Sequence, residues 1–170
     1  MYDIIEPIER FNAVIGHARK GTGIPSEEMR LLSAKLLLEE CIEQIRGLGV
    51  AVQVCTPGVA EEIYLTDAGT ETECRISTVD RVNLIEVADG VADVLVIAIG
   101  NALRCGIDIR PIMKIVNDNN LSKCYDADGN FIAKFREDGK LLKPPGFIPC
   151  GALILDELTR QIEASEKLCD

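Results

Sequence analysis

Two groups of acidic residues stand where acids are expensive. Glu39, Glu40 and Glu43 follow the apolar run Leu36-Leu37-Leu38 and flank Cys41-Ile42. Glu86, Asp89 and Asp93 interrupt a second apolar run that extends from Leu84 to Ile99. Carboxylates are seldom buried without a compensating partner. Steps of three or four residues along a helix return to the same face. Glu40 and Glu43 therefore share one face, and Glu86, Asp89 and Asp93 share another. Packed together, the two faces would set several negative charges against one another, a situation that a cation relieves. Ligands that are all oxygen suit Mg²⁺, Mn²⁺ or Ca²⁺ and disfavour zinc.

Other ways of using these residues fail on composition. A di-iron bundle needs Glu-x-x-His pairs. The sole histidine is His17, preceded three positions earlier by Val14, and it reads as a surface residue near a helix end. An EF-hand loop is suggested by Asp126, Asp128, Asn130 and Glu137. Its sixth position, which calls for glycine, is Phe131, so Asp126 to Asp138 reads as a turn and a hairpin. The seven cysteines are odd in number and form no C-x-x-C pair, so reduced thiols are expected rather than a disulfide framework or a zinc knuckle.

A basic group comes later. Asn119 and Lys123 are followed by Lys140 and Lys143, the last leading into Pro144-Pro145-Gly146-Phe147. With a net charge of −10, an anionic ligand needs either a metal ion or a local cluster of this kind. Ammonium groups and amides suit phosphate oxygens. The same net charge argues against a nucleic-acid surface.

The elements that must carry these groups are mostly helical. The chain of 170 residues is read as one domain, with 47% apolar residues but only 4% aromatic ones. A core of Leu, Ile, Val and Ala suits helix packing. A first helix is predicted over residues 4–18, with Ile5, Ile8, Phe11, Val14 and Ile15 on one side. A second starts after Pro25-Ser26 and stops near Leu48. Residues 50–78 change to short β-rich stretches at 51–54, 62–65 and 74–77, separated by turn signals, and read as a β-ribbon. A third helix is expected from about Val79 or Asp80 to Cys105, apolar almost all round and thus covered by neighbours. Asp108 caps a fourth over 109–119, residues 120–150 form loop or hairpin, and a last helix covers about 152–167. No apolar run approaches the roughly 20 residues that cross a bilayer. The early acidic N-terminus lacks a signal-peptide pattern, and a soluble cytoplasmic protein is the expectation.

With both acidic motifs in place, E-E-x-x-E at 39–43 and E-x-x-D at 86–89, the chain resembles the all-α NTP pyrophosphatase superfamily of MazG, dimeric dUTPases and phosphoribosyl-ATP pyrophosphohydrolases. Within it, the likeness is strongest to the phosphoribosyl-ATP pyrophosphohydrolase-like branch with MazG-type dUTPase members. It is carried by Met29-Arg30-Leu31-Leu32, Leu36 to Glu40, Asp89 to Leu95 and Gly100-Asn101-Ala102. It continues through Gly106-Ile107-Asp108, Asn119-x-x-Ser122-Lys123 and Asp138-Gly139-Lys140-x-x-Lys143-Pro144-Pro145. About residues 4–48 and 80–150 are covered.

The resemblance implies an all-α helical bundle, with a small β-ribbon insertion and an irregular C-terminal segment, completed as a homodimer or homotetramer. It implies Mg²⁺-dependent hydrolysis of a nucleoside triphosphate, dUTP or another non-standard or pool nucleotide, to the monophosphate and pyrophosphate, with Mn²⁺ as a substitute metal. By this likeness Glu40, Glu43, Glu86 and Asp89 are the metal ligands, and Glu39 orients or deprotonates the water. Asp93 supports the ligands from behind, and Asn119, Lys123, Lys140 and Lys143 contact phosphate. The alternatives are phosphoribosyl-ATP pyrophosphohydrolase activity and a non-catalytic metal-binding helical interaction protein. One departure stands out: the acidic motifs are separated by residues 44–85, longer than usual for the family, and the excess coincides with the ribbon.

Overall fold

The computed structural model describes residues 4–55, 73–78, 81–137 and 139–167. Among these the protein is mostly helical. Five helices, α1 (Ile5–Val14), α2 (Glu27–Gly47), α3 (Leu84–Arg104), α4 (Ile109–Leu121) and α5 (Gly151–Glu166), accompany one two-stranded antiparallel ribbon, β1 (Val50–Cys55) and β2 (Glu73–Thr78). The chain divides into two compact units: one of Glu27–Ala98, the other of the flanking segments Met1–Ser26 and Ile99–Asp170.

The Glu27–Ala98 unit carries the acidic residues. α2 begins directly after Ser26, the expected capping position, and its first turn holds Glu27 and Glu28, which favour a helix N-terminus. It ends where Gly49 adopts φ 66°, with Gly49 N–H donating to Arg46 O at 2.8 Å. The ribbon follows at once, with Val50 opposite Thr78 and Cys55 opposite Glu73. Alternating Val50, Val52 and Val54 give β1 its strand propensity. The expected strand at 62–65 and the turns around it lie outside the described residues. After the ribbon, Asn83 N–H donates to Gly47 O at 2.8 Å. The chain thus leaves α2 and enters α3 at one point.

α3 starts later than the sequence predicts. Residues 81–83 are not helical, because the Asn83 side chain accepts from Ile85 N–H at 3.1 Å and caps the helix there. Along the apolar stretch of α3 the cover is partial: Val87, Val94, Val96, Ile97 and Ile99 are half-buried, whereas Val91 is 40% exposed and Leu95 42%.

In the other unit, α1 is shorter than the predicted 4–18. It stops at Val14, and Gly16 takes φ 75°, which a continuing helix does not permit. Ile8 is buried, but Phe11, Val14 and Ile15 are exposed, so the predicted apolar side is only partly used. Asn12 is fully buried: its Nδ2 donates to Ile8 O at 3.0 Å, and its carbonyl accepts from the His17 and Ala18 amides. Gly100 gives it room, since a Cβ there would lie 3.1 Å from Asn12 Oδ1. His17 is half-buried rather than a plain surface residue. Its Nδ1 stands 3.1 Å from Nη2 of the buried Arg104, and because a guanidinium can only donate, the imidazole nitrogen accepts.

α4 forms as predicted from Asp108, whose carboxylate accepts from Arg110 N–H at 3.1 Å, and runs two residues further than expected, to Leu121. α5 packs against α4. Gln161 on α5 is buried and grips the cap residue: its Oε1 accepts from Asp108 N–H and its Nε2 donates to Asp108 O, each at 2.9 Å. No single helix among the described residues is long and apolar enough to cross a membrane.

Candidate functional site: an acidic cluster and a lysine cleft

Helices α2 and α3 approach within the Glu27–Ala98 unit at two glycines. A Cβ at Gly90 would lie 2.9 Å from Cα and Cβ of Gln44, and one at Gly47 would lie 3.0 Å from Cβ of Glu86. Side chains larger than hydrogen do not fit either contact without movement. The pairs Gln44 with Gly90 and Gly47 with Glu86 also show that the helices pass in opposite directions. Glu40 lies one turn before Gln44 and Asp93 one turn beyond Gly90, so the same crossing brings Glu40 and Asp93 to one side of the contact.

The electrostatics follow. Burial raises the Glu40 pKa above the ordinary carboxylate value, and the negative charges of Asp93, Glu43, Glu39 and Asp89 raise it further. Glu40 and Asp93 are half-buried, whereas Glu43, Asp89, Glu86 and Glu39 are exposed. Four of the other five acids read from the sequence therefore act on Glu40. Glu86 is not among the groups acting on Glu40, and lies instead at the Gly47 contact. Asp93, assigned a supporting part, is the carboxylate with the largest effect on Glu40. Glu39 faces Lys35, with Nζ and Oε1 3.7 Å apart in an exposed i, i+4 pair.

Among the described residues, no three Asp, Glu, His or Cys side chains are already gathered to enclose a metal ion. By donor type and charge, the side chains around Glu40 nevertheless fit a hard divalent cation: all are carboxylates, and they repel.

The basic residues sit in the other unit. Pro144-Pro145-Gly146-Phe147 forms a tight turn in which Phe147 N–H donates to Pro144 O at 3.1 Å and Gly146 takes φ 77°. Proline second and glycine third are what a type II turn asks for. The Phe147 ring then lies near two ammonium groups, with Lys123 Nζ 5.2 Å and Lys143 Nζ 5.6 Å from its centroid. Lys123 also donates to Asn120 Oδ1 at 2.7 Å. Asn119 Nδ2 donates to Ile148 O at 2.8 Å, which commits that amide to the backbone, and Asn119 lines a neighbouring groove with Phe147.

Lys123 and Lys143 line a cavity of about 390 Å³ together with Lys134, which sequence reasoning did not single out. Lys140 does not line it. The signal for Lys134 was the i, i+2 spacing with Ile132 in an extended stretch, which puts both on one side. Leu142 N–H donates to Lys134 O at 2.8 Å, pairing the two stretches across the cavity wall. The Asp126 carboxylate is occupied by the turn itself. It accepts from the Asp128 and Asn130 amides and from Asn130 Nδ2, and these bonds, the Asn130 side chain first, hold its pKa below the ordinary range. The hairpin reading of this stretch matches the bridge between Tyr125 and Phe131.

The chain matches no protein-family model and none of the curated proteins.

Proposed function

We propose that this protein is a divalent-metal-dependent nucleoside triphosphate pyrophosphohydrolase of the all-α NTP pyrophosphatase type, acting as a homodimer or a higher homo-oligomer. The observation that carries the reading is the convergence of carboxylates from α2 and α3 around Glu40. Such repulsion stabilises nothing by itself, and a bound cation reverses its sign.

On this reading Glu40, Glu43, Asp89 and Glu86 hold Mg²⁺, with Mn²⁺ as a substitute. Asp93 is close enough in its effect on Glu40 to orient that ligand or to join the set. The ion, when bound, supplies charge neutralisation at the phosphate oxygens. Glu39 is exposed and can exchange its Lys35 partner for a water, whose proton it takes as the oxygen attacks the α-phosphorus. The bond from that phosphorus to the bridging oxygen breaks, and pyrophosphate leaves with the electron pair. Lys123 and Lys143, in the other unit, carry ammonium groups of the kind that bind phosphate oxygens by charge-assisted hydrogen bonds.

The oligomer is supported by two exposed apolar stripes. Leu31, Leu38 and Ile42 on α2 are spaced by seven and four residues, as are Leu84, Val91 and Leu95 on α3. That spacing places each trio on one helix face, and exposed apolar faces of this kind mark interfaces.

The test is pyrophosphate release across the dNTPs and NTPs, with Mg²⁺ and then with EDTA. Turnover of at least one nucleotide, abolished by EDTA, is the expected result. Absence of turnover with every nucleotide, alongside retained Mg²⁺ binding, would instead favour a metal-binding interaction protein.

A further inference from the structure

The cleft beside Phe147 is built for more than the two lysines already assigned to phosphate. Lys134 completes a set of three ammonium groups around it, and no acidic residue among the described residues lines it. In a chain of net charge −10, three cations lining one cavity are a local concentration of positive charge. The walls between the lysines are apolar: Ile132, Leu142, Pro144 and Pro145. Its volume, about 390 Å³, falls within the range of small-molecule sites. A pure inorganic anion would use the lysines and leave these walls wet. A ligand with a flat apolar ring and a phosphate chain would use both.

We propose that Lys134, with Lys123 and Lys143, forms a metal-independent binding site for a phosphate-bearing organic anion, its apolar part seated on the Leu142 and Pro144-Pro145 wall. Naming a nucleotide as that anion rests on the proposed function; the existence of the site does not. The ring of Phe147 stands near Lys123 and Lys143, and its π face offsets part of their mutual repulsion. Lys134 approaches from the extended stretch paired with Leu142, held by backbone bonding rather than by its own side chain. The Lys134 side chain is exposed, so its replacement leaves the backbone pairing in place.

The experiment is calorimetric titration of the full chain in EDTA with two probes, inorganic pyrophosphate and a non-hydrolysable nucleoside triphosphate analogue. Lys134→Ala should weaken both by about tenfold, the loss of one charge-assisted contact. Lys134→Arg should restore most of the affinity. Leu142→Ser should weaken the nucleotide analogue while leaving pyrophosphate unchanged. Lys167→Ala, the same charge change at the end of α5, should stay within about twofold of the parent, since it removes only long-range, salt-screened attraction. Circular dichroism confirms that each variant is folded. Parent protein that binds neither probe in EDTA, or Lys134→Ala protein that binds both as the parent does, overturns the site. The two readings separate cleanly. Lys134-dependent binding without hydrolysis of any nucleotide would refute the proposed function and keep the cleft. Hydrolysis with binding indifferent to Lys134 would do the reverse.

Discussion

Gly90 sits on Gln44 so closely that a Cβ at position 90 would lie 2.9 Å from the Gln44 Cα. Glycine in a helix interior costs about 1 kcal/mol relative to alanine, and the close crossing of α2 and α3 is what that cost obtains. The crossing in turn brings the acids of the two helices to one place. Gly90→Ala should gain intrinsic helix propensity yet lose net stability by about 1–3 kcal/mol, because the helices must separate. Urea denaturation measures the loss. An alanine variant more stable than the parent would mean that the crossing is looser than described.

The acids around Glu40 should be a burden to the metal-free protein. Glu40→Gln removes the charge that the others repel, so this variant should melt at a higher temperature than the parent in EDTA. In millimolar Mg²⁺ the order should invert, since the parent gains a ligand that the variant lacks. Melting curves under both conditions decide it, and equal responses to Mg²⁺ would contradict a metal site at Glu40.

Asp93 is expected to matter more than its place outside the two acidic motifs implies. Asp93→Asn should lower nucleotide turnover by roughly 10–100-fold, the range for residues that orient metal ligands. Glu43→Gln and Asp89→Asn should lower it at least as much. The check is the pyrophosphate-release rate at saturating nucleotide across a Mg²⁺ titration. A loss of Asp93→Asn activity that excess Mg²⁺ restores would place its effect in metal affinity.

A pH dependence follows from α5. Hydrogen bonds from Arg160 and then Gln161 hold the Glu157 pKa down to about 2, against an ordinary 4.5. A carboxylate depressed on folding contributes stability that is fully present above the unfolded value. That contribution is lost as pH falls from about 4.5 toward 2, where the folded group finally takes a proton. Thermal melts between pH 6 and pH 2.5 should therefore show a steeper acid loss in the parent than in Glu157→Gln. Gln161→Leu is a separate probe of the same corner. It strands the Asp108 amide and carbonyl and should cost about 2 kcal/mol.

The apolar stripes of α2 and α3 predict self-association. Light scattering at micromolar concentration should give at least twice the 18.6 kDa chain mass. Replacing Leu38 and Leu95 with glutamate should shift the protein toward the chain mass, by setting charge into a dry contact.

Much of this was legible in the sequence, because local rules set it. Helical spacing showed which acids share a face, Asp108 and Gly49 mark element ends by capping chemistry and left-handed backbone, and Pro145-Gly146 dictates its turn. What only the tertiary structure decided were contacts between segments remote in sequence. The start of α3 at Asn83 depended on one side-chain bond and on the return of the chain to Gly47. That Asp93, and not Glu86, acts on Glu40 depended on which turns of α2 and α3 meet, and two helical glycines set that register. Lys134 became a third cation, and Lys140 did not, through cross-chain pairing of two extended stretches. Residue spacing fixes the face a side chain occupies on its own element. Which face meets which is a matter of packing, and packing is set by where backbones can touch.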